Sequence, residues 1–568
     1  MTLLWTISTA ALAGRALLGV EDPTSPELAP AAKAMGVTVL RCHDAPRICV
    51  VEVPDAWADL SRLHTLPGVR FVEEDVRLET PVVAPIPRAL YPDAGGTTDC
   101  AELWDLSALR ATTVWDQVTG LSAAPIAIAD SGFLASHEDL DGQILAQYDY
   151  GDGDPLAEVS WTAGVPGHGT FIAGLIAAVP DNDAGRAGLA PDAQLVLHKI
   201  ADGSGALYIS YAVDSMAALA EGSLGVRVLS YSLASSPRSE SLGEAVAALG
   251  DAGILLVAAA GNCGSPGCSD ANNDSFPLYP AGEAGEHVLS VAGSTTSDTL
   301  NPYSHYGPES VDLAAPGVDL CSLDVGGDDD YAVASGTSYA TPLVAAAAGL
   351  LWEAHPDLSA GDVAEILRAS AKPSADLADK VRAGGRLDVV EALAAPWTIT
   401  EGDALDTGAA LTLTNLAADA DQRVLLHCEA PGATLAASGP SDLTSAEYGP
   451  GETIDLPDGA AYDVTGRALL TRFTLSAHSA ASLVITASAP GGADCEALSF
   501  ATGGERVVTG MDSFLFEAEA KAEIDGPKTE ERGACATADA GRSAALLGVI
   551  FALIRRRRAT RPASSGGC

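Results

Sequence analysis

Basic residues are scarce in this 568-residue chain: 31 Lys and Arg stand against 76 Asp and Glu, a formal net charge of −45 at pH 7. A surface this acidic repels phosphate backbones, which excludes nucleic acid as a partner, and it suits an exported or calcium-exposed protein. Cysteine is sparse as well, ten in all, with no CxxC spacing and no histidine cluster beside the close pairs, so a metal site is not the expected use. Cys42 and Cys49, and Cys263 and Cys268, stand close enough in sequence to read as cystine staples of an oxidising compartment. No internal repeat of clear period is present, which argues against a solenoid. The apolar start "MTLLWTISTAALAGRALLG" lacks a Lys or Arg before its apolar run; residues 1–19 are read as an imperfect signal segment, with Ala11-Leu12-Ala13 as a small-residue cleavage site.

What is present is ample apolar content, 47%, in a chain long enough for two to four domains. Residues 20–80 read as a small α/β unit, with strand-like "VTVLRCHDAPRICVVEVP" and "VRFVEEDVRLE" around a helical stretch. A proline-rich joint, 81–98, follows and looks flexible and open to cleavage. Over 99–395 short apolar strands such as "PIAIAD", "AQLVLHKI" and "GILLVAAAG" alternate with alanine-rich helical stretches, which predicts an α/β fold, a parallel sheet flanked by helices. Residues 396–515 carry strand-like pieces split by Gly, Pro, Asp and Ser, an all-β sandwich that Cys428 and Cys495 could cross-link. An acidic linker, 516–534, leads to a tail, 535–568.

Three polar residues in the α/β region stand at strand or helix ends. Asp130 closes "PIAIAD" before a Ser-Gly turn, and ligand crevices of open α/β sheets form at the carboxyl ends of strands. His168 lies between glycines at the head of "GHGTFIAGLIAA". Ser338 precedes an alanine-rich run in "ASGTSYATPLVAAAAG", where a helix N-terminus favours developing negative charge. Taken singly, each has a structural reading: turn former, satisfied histidine, helix cap.

Together they carry a resemblance. "IAIADSGFLASHEDL", "GHGTFIAGLIAA" and "SGTSYATPLVAAAAGLL" resemble the aspartate, histidine and serine segments of the subtilase family of subtilisin-like serine endopeptidases, in that family's order. The likeness runs from about Leu103 to Ala395. It implies Ser338 as nucleophile, His168 as general base and acid, Asp130 as the group orienting the imidazole, and Asn262 of "LLVAAAGN" as oxyanion donor. It further implies a substrate groove between Gly203-Ser204-Gly205 and Ser232-Leu233-Ala234, the peptide pairing mainly through its backbone. Ala234 stands where the family usually has glycine. Ala259, Ala260 and Gly261 imply a roomy, uncharged pocket floor. A structural calcium is implied at Asp139 and Asn182. "LPGVRFVEEDVRLE" resembles the end of an inhibitory propeptide, so residues 20–80 are expected to act as folding chaperone and inhibitor, removed by self-cleavage.

The expected partners are therefore protein or peptide substrates and the chain's own propeptide, acting on a monomer. Cys428 is expected to pair with Cys495, and Cys100 is assigned to Cys321 by elimination. In the tail, the apolar run Ser543 to Ile554 would span about 18 Å as a helix against roughly 30 Å of bilayer hydrocarbon, too short for a comfortable permanent anchor. With Cys535 before it and Arg555 to Arg558 after it, the tail resembles tripartite sorting tails of bacterial surface proteins, which implies transient membrane contact and an envelope location with Cys535 as the processing point. Two rivals are an adhesion protein with a vestigial protease domain and a lipase. The complete set of triad residues argues against the first, and the second requires GxSxG where Ser338 stands in Gly-Thr-Ser-Tyr-Ala.

Overall fold

The computed structural model of the protein describes residues 11–393, apart from 55–58, 79–99, 101–102, 119–123, 160–166, 181, 183–184, 223, 237, 264–267, 269–270, 284 and 357, together with the backbone of strands between 397 and 510. The leading unit consists of β1 (Ala11–Val20), α1 (Leu28–Ala34), β2 (Thr38–Cys42), β3 (Ile48–Glu52) and β4 (Val69–Leu78). They form an antiparallel sheet in the order β2-β3-β1-β4. Strand β1 lies across the expected boundary at residue 20. The apolar segment read as a leader supplies a strand of this sheet, with Arg15 opposite Glu52 and Leu17 opposite both Val50 and Glu73. The leader-like composition of this strand has a physical cause, for β1 is apolar on both faces. Ala16, Leu18 and Val20 pack under α1, whereas Leu17 points the other way, into the core of the unit that follows.

That following unit holds α2 (Trp104–Ala108), α3 (Ala111–Gln117), β5 (Ile126–Asp130), β6 (Ile144–Asp149), α4 (His168–Ala177), β7 (Leu195–Lys199), β8 (Leu207–Tyr208), α5 (Ile209–Ala220), β9 (Val228–Tyr231), α6 (Glu240–Asp251) and β10 (Leu255–Ala259). It continues with β11 (Val288–Ser294), β12 (Leu313–Pro316), β13 (Leu320–Leu323), β14 (Tyr331–Ala334), α7 (Thr337–Ala354), α8 (Ala360–Ala369), β15 (Lys372–Pro373), β16 (Gly385–Arg386) and α9 (Val389–Leu393). Nine strands form one sheet in the order β15-β16-β12-β11-β10-β9-β5-β7-β6, parallel except at the β15–β16 edge. Strands β5, β7, β9 and β10 are buried on both faces, as their unbroken apolar runs require. On one face α4 and α7 close a core with Ile126, Ile128, Leu195 and Val257; on the other α5 and α6 pack over Ala127, Val196, Leu229 and Leu256.

Helix α7 is buried along nearly its whole length, which is why it is built from alanine. Small side chains let it lie close on the sheet, and at Gly349 even a Cβ would come within 2.8 Å of Ile126 Cδ1. Beyond residue 396, two antiparallel sheets of four and five strands and a separate hairpin are formed, in line with an all-β region. Their register sets Cys428 directly opposite Cys495, although those side chains lie outside the described residues. Cys535 and the tail also lie outside the described residues. Among the described residues, no helix is long and apolar enough to cross a membrane.

Candidate active site

Three neighbouring strands, β5, β9 and β10, end side by side where the chain order of the sheet reverses, and each delivers polar groups to the same place. Asp130 is the last residue of β5 and is fully buried. Its Oδ1 accepts from the Ser131 N–H at 2.7 Å and from Ser131 Oγ at 3.0 Å. Its Oδ2 lies 2.8 Å from His168 Nδ1. A carboxylate in that position fixes the imidazole tautomer, with the proton on Nδ1 and the lone pair on Nε2.

His168 is the first residue of α4, and glycines make its position possible. Gly167 adopts φ +87°, and at Gly169 a Cβ would stand 2.5 Å from the Gly132 carbonyl oxygen and 3.1 Å from Asp130 Cβ. Any side chain there would push the helix away from the Asp130 turn. The imidazole ring packs 5.5 Å from the Tyr339 ring, which in turn stacks on Phe171 at 4.5 Å. Burial pushes the hydroxyls of Tyr339 and Tyr231 well above the usual tyrosine range, with Asp130 adding to both shifts. His168 Nε2 is buried without a hydrogen-bond partner. The contrast with His198 is instructive: burial pushes that imidazole down to about 3, and Nδ1 meets Ser215 Oγ at 2.8 Å, a neutral core histidine.

Ser338 is the second residue of α7 and has no exposed surface. Its carbonyl accepts from Ser232 Oγ at 2.8 Å, and its own Oγ makes a long contact of 3.5 Å with the Ser232 carbonyl. Asn262 follows β10 after Ala260 and Gly261. Its Oδ1 accepts from the Thr337 N–H at 2.9 Å and from Thr337 Oγ1 at 3.2 Å, so the amide nitrogen faces the other way. That Nδ2 is likewise buried without a partner. Asn262 is thus tied to the residue before Ser338, and His168 is in ring contact with the residue after it.

The groove residues are placed differently from expectation in one respect. Ser232, Leu233 and Ala234 do follow β9 beside Ser338, all buried. Gly203-Ser204-Gly205, expected to pair with the peptide backbone along one wall of the groove, form a tight turn. Asp202 Oδ1 accepts from Ser204 N, Ser204 Oγ and Ala206 N, while Asp152 Oδ1 accepts from Gly203 N at 2.7 Å. Asp152 is held by Lys199, which also meets Asp149, each at 2.5 Å. The edge strand is β8, directly after this turn, and β4 of the leading unit already pairs with it, Arg77 opposite Tyr208 and Leu78 opposite Leu207. Ala259 and Ala260 have no exposed surface, and Gly261 turns the chain with φ +111°.

The leading unit also contributes groups that sequence reasoning missed. Asp75 accepts from Ser210 N and Oγ at the start of α5, and Glu73 accepts from Glu240 N, Ser241 N and Ser239 Oγ at the start of α6. Each carboxylate thereby satisfies helix N–H groups that have no partner within their helix. The acidic run in "VEEDV", whose Glu73 and Asp75 lie two apart and so share a face of β4, was the available signal. Arg41 and His43 both engage Asp214 of α5, and Arg70 pairs with Glu244 of α6.

Asp139, buried in the turn Glu138–Leu140, and Asn182 do meet, through a hydrogen bond from Asn182 Nδ2 to Asp139 Oδ1. Tyr331 Oη donates to Asp139 Oδ2 at 3.0 Å. Disulfides join Cys42 to Cys49, Cys100 to Cys321 and Cys263 to Cys268, the three pairings expected among the described residues.

The Subtilase family profile matches residues 122–388. Thermitase of Thermoactinomyces vulgaris is 36% identical over 275 residues, covering 47% of this chain and 86% of its own. A thermophilic serine proteinase of Bacillus sp. (strain AK1) is 31% identical over 338 residues, covering 58% of this chain and 75% of its own. A solved protease structure from Pseudoalteromonas arctica, 26% identical, superposes with a TM-score of 0.46 over 53% of this chain and 99% of that one.

Proposed function

Since the chain belongs to the subtilase family of serine endopeptidases, we propose that Asp130, His168 and Ser338 carry out its peptide-bond hydrolysis and that the enzyme is made as a self-processed, exported precursor. The observation that carries the reading is the pair of buried, unpartnered polar atoms on either side of Ser338, His168 Nε2 and Asn262 Nδ2. A buried group of this kind is costly to leave unpaired, and a reacting substrate supplies what each needs.

In this mechanism Ser338 Oγ rotates about χ1 from the Ser232 carbonyl towards His168 Nε2 and attacks the scissile carbonyl. His168 takes its proton and returns it to the leaving amine, while Asp130, held by Ser131, stabilises the imidazolium. Asn262 Nδ2 donates to the developing oxyanion, its amide locked by Thr337. Substrate backbone pairs along Ser232–Ala234 and the segment carrying β8. The residues that would line the primary pocket, Ala234, Ala259, Ala260 and Gly261, carry no charge. A fluorophosphonate is expected to block casein hydrolysis and to add its mass to the peptide containing Ser338. Modification of another serine, with loss of activity, would contradict the assignment.

The leading unit, extending from β1 rather than from residue 20, serves as chaperone and inhibitor: β4 pairs beside the groove and Glu73 and Asp75 cap the two helices under it. Asp139 suits a structural calcium, with Asn182 a second ligand once its amide turns Oδ1, rather than the Nδ2 that donates to Asp139, towards the ion. The carboxylate is fully buried, and the partners seen for it, Asn182 and Tyr331, are neutral, so a cation would compensate it. Chelation is expected to lower Tm, and an unchanged Tm would remove the site from the account. The 535–568 tail is read as a sorting segment with Cys535 as processing point. Deleting residues 543–558 is expected to release enzyme into the medium, and continued envelope retention would contradict this.

A further inference from the structure

The turn carrying Asn262 is stitched to the segment 303–306. Cys263 N–H donates to the Tyr303 carbonyl at 2.7 Å, His305 N–H donates to the Gly261 carbonyl at 2.9 Å, and Asn262 bridges Ser304. These bonds bring a histidine that is remote in sequence onto the Cys263–Cys268 pair. The two sulfurs and a ring nitrogen of His305 all lie within 4.8 Å of one another. The expectation that no histidine attends these cysteines is corrected by this packing.

The neighbouring hydrogen bonds select the tautomer of the neutral imidazole. Asn273 donates its Nδ2 to the Ala260 carbonyl at 2.8 Å, so its Oδ1 is an acceptor. That Oδ1 lies 2.8 Å from His305 Nδ1, which must then be the N–H donor, and the lone pair resides on Nε2. An imidazole with one nitrogen anchored to an amide oxygen and the other presenting a lone pair is the form in which histidine binds metal. Cys263 and His305 are buried, whereas Cys268 is half-buried and gives reagents access.

We propose that reduction of Cys263–Cys268 creates, with His305, a binding site for a thiophilic divalent cation of the Zn2+ class. A dithiol or phosphine reductant supplies two electrons; the S–S bond breaks and two thiols form with uptake of two protons. Binding of Zn2+ expels those two protons and gives two thiolates and one imidazole nitrogen as ligands, with the fourth position open to water. Zinc ligands at about 2.0–2.3 Å from the metal stand roughly 3.5 Å apart in a tetrahedron. The sulfurs, 2.05 Å apart in the disulfide, therefore have to separate once the bond is broken, and the His305 nitrogen, within 4.8 Å of both, has to draw in by about 1 Å, both within reach of side-chain rotation. In the oxidised chain the sulfurs are bonded to each other and offer no thiolate.

The test uses full-length Ser338→Ala chain, which cannot digest itself, reduced with a phosphine and titrated with Co2+ as a spectroscopic substitute for zinc. Because other cysteines are reduced too, the reference is the same chain carrying Cys263→Ser and Cys268→Ser. One Co2+ per chain above that reference is expected, with thiolate charge-transfer and tetrahedral d–d bands, and none before reduction. His305→Ala should weaken binding by about tenfold or more. Identical spectra with and without the cysteine pair, or undiminished affinity in His305→Ala, would overturn the proposal. Should His305→Ala misfold, alkylation mapping of the chain with its histidine intact decides: Zn2+ is expected to protect both Cys263 and Cys268, and equal labelling with and without zinc would overturn the site. Neither readout uses proteolysis, so the outcome is independent of the triad assignment.

Discussion

At Asn262 the two ends of one amide have separate tasks: Oδ1 is committed to Thr337, and Nδ2 is buried with nothing to bond. Replacing Asn262 by Ala leaves the Thr337 N–H to be satisfied otherwise but removes only one donor to the transition state. The expected result is a loss of about 100- to 1000-fold in kcat with little change in KM, read from steady-state kinetics on a peptide substrate. An unchanged kcat would show that Nδ2 does not face the oxyanion. This residue and the proposed triad could be picked out in the sequence because each sits inside a short local motif whose glycines and small residues serve its own geometry, as Gly167 and Gly169 do for His168. Residues positioned by distant partners were not. Nothing near Gly203 in the sequence announces that Asp152 would bind its N–H, or near Cys263 that His305 would pack against it.

Among the elements, the contact between the leading sheet and helices α5 and α6 depends on two carboxylates. Asp75 is fully buried there, and burial raises its pKa above the usual carboxylate range despite the two hydrogen bonds from Ser210. A group whose pKa is raised in the folded chain favours folding most when protonated, and that contribution is lost as pH rises through the raised value. Asp75→Asn imitates the protonated form at every pH. In a Ser338→Ala background, Asp75→Asn is therefore expected to match its parent in Tm at about pH 4 and to become increasingly the more stable of the two towards about pH 7. A constant gap, or one of opposite sign, would show that the helix N-terminus, not burial, governs Asp75. The parallel sheet was readable from its apolar strands, whereas β1 was not, because a strand covered on both faces has the composition of a leader. The turn at 203–205 was likewise hidden, since the carboxylates of Asp202 and Asp152 had to be in place to make it a turn.

In the whole chain, Asp130, His168 and Ser338 are all buried, the leading unit pairs with β8, and the Cys100–Cys321 disulfide ties the start of the α/β unit to the strand pair before Ser338. In the proposed reading the chain is a precursor whose own active site removes its leading unit, so that one nucleophile would serve both for maturation and for substrate hydrolysis. The most direct measurement is the intact mass of purified full-length protein over time, with and without Ser338→Ala, in the absence of other proteases. The parent chain should lose its leading unit by a cut in the proline-rich joint, while Ser338→Ala should remain uncut and inactive on casein. Cleavage of Ser338→Ala at the same site and rate as the parent would contradict the account.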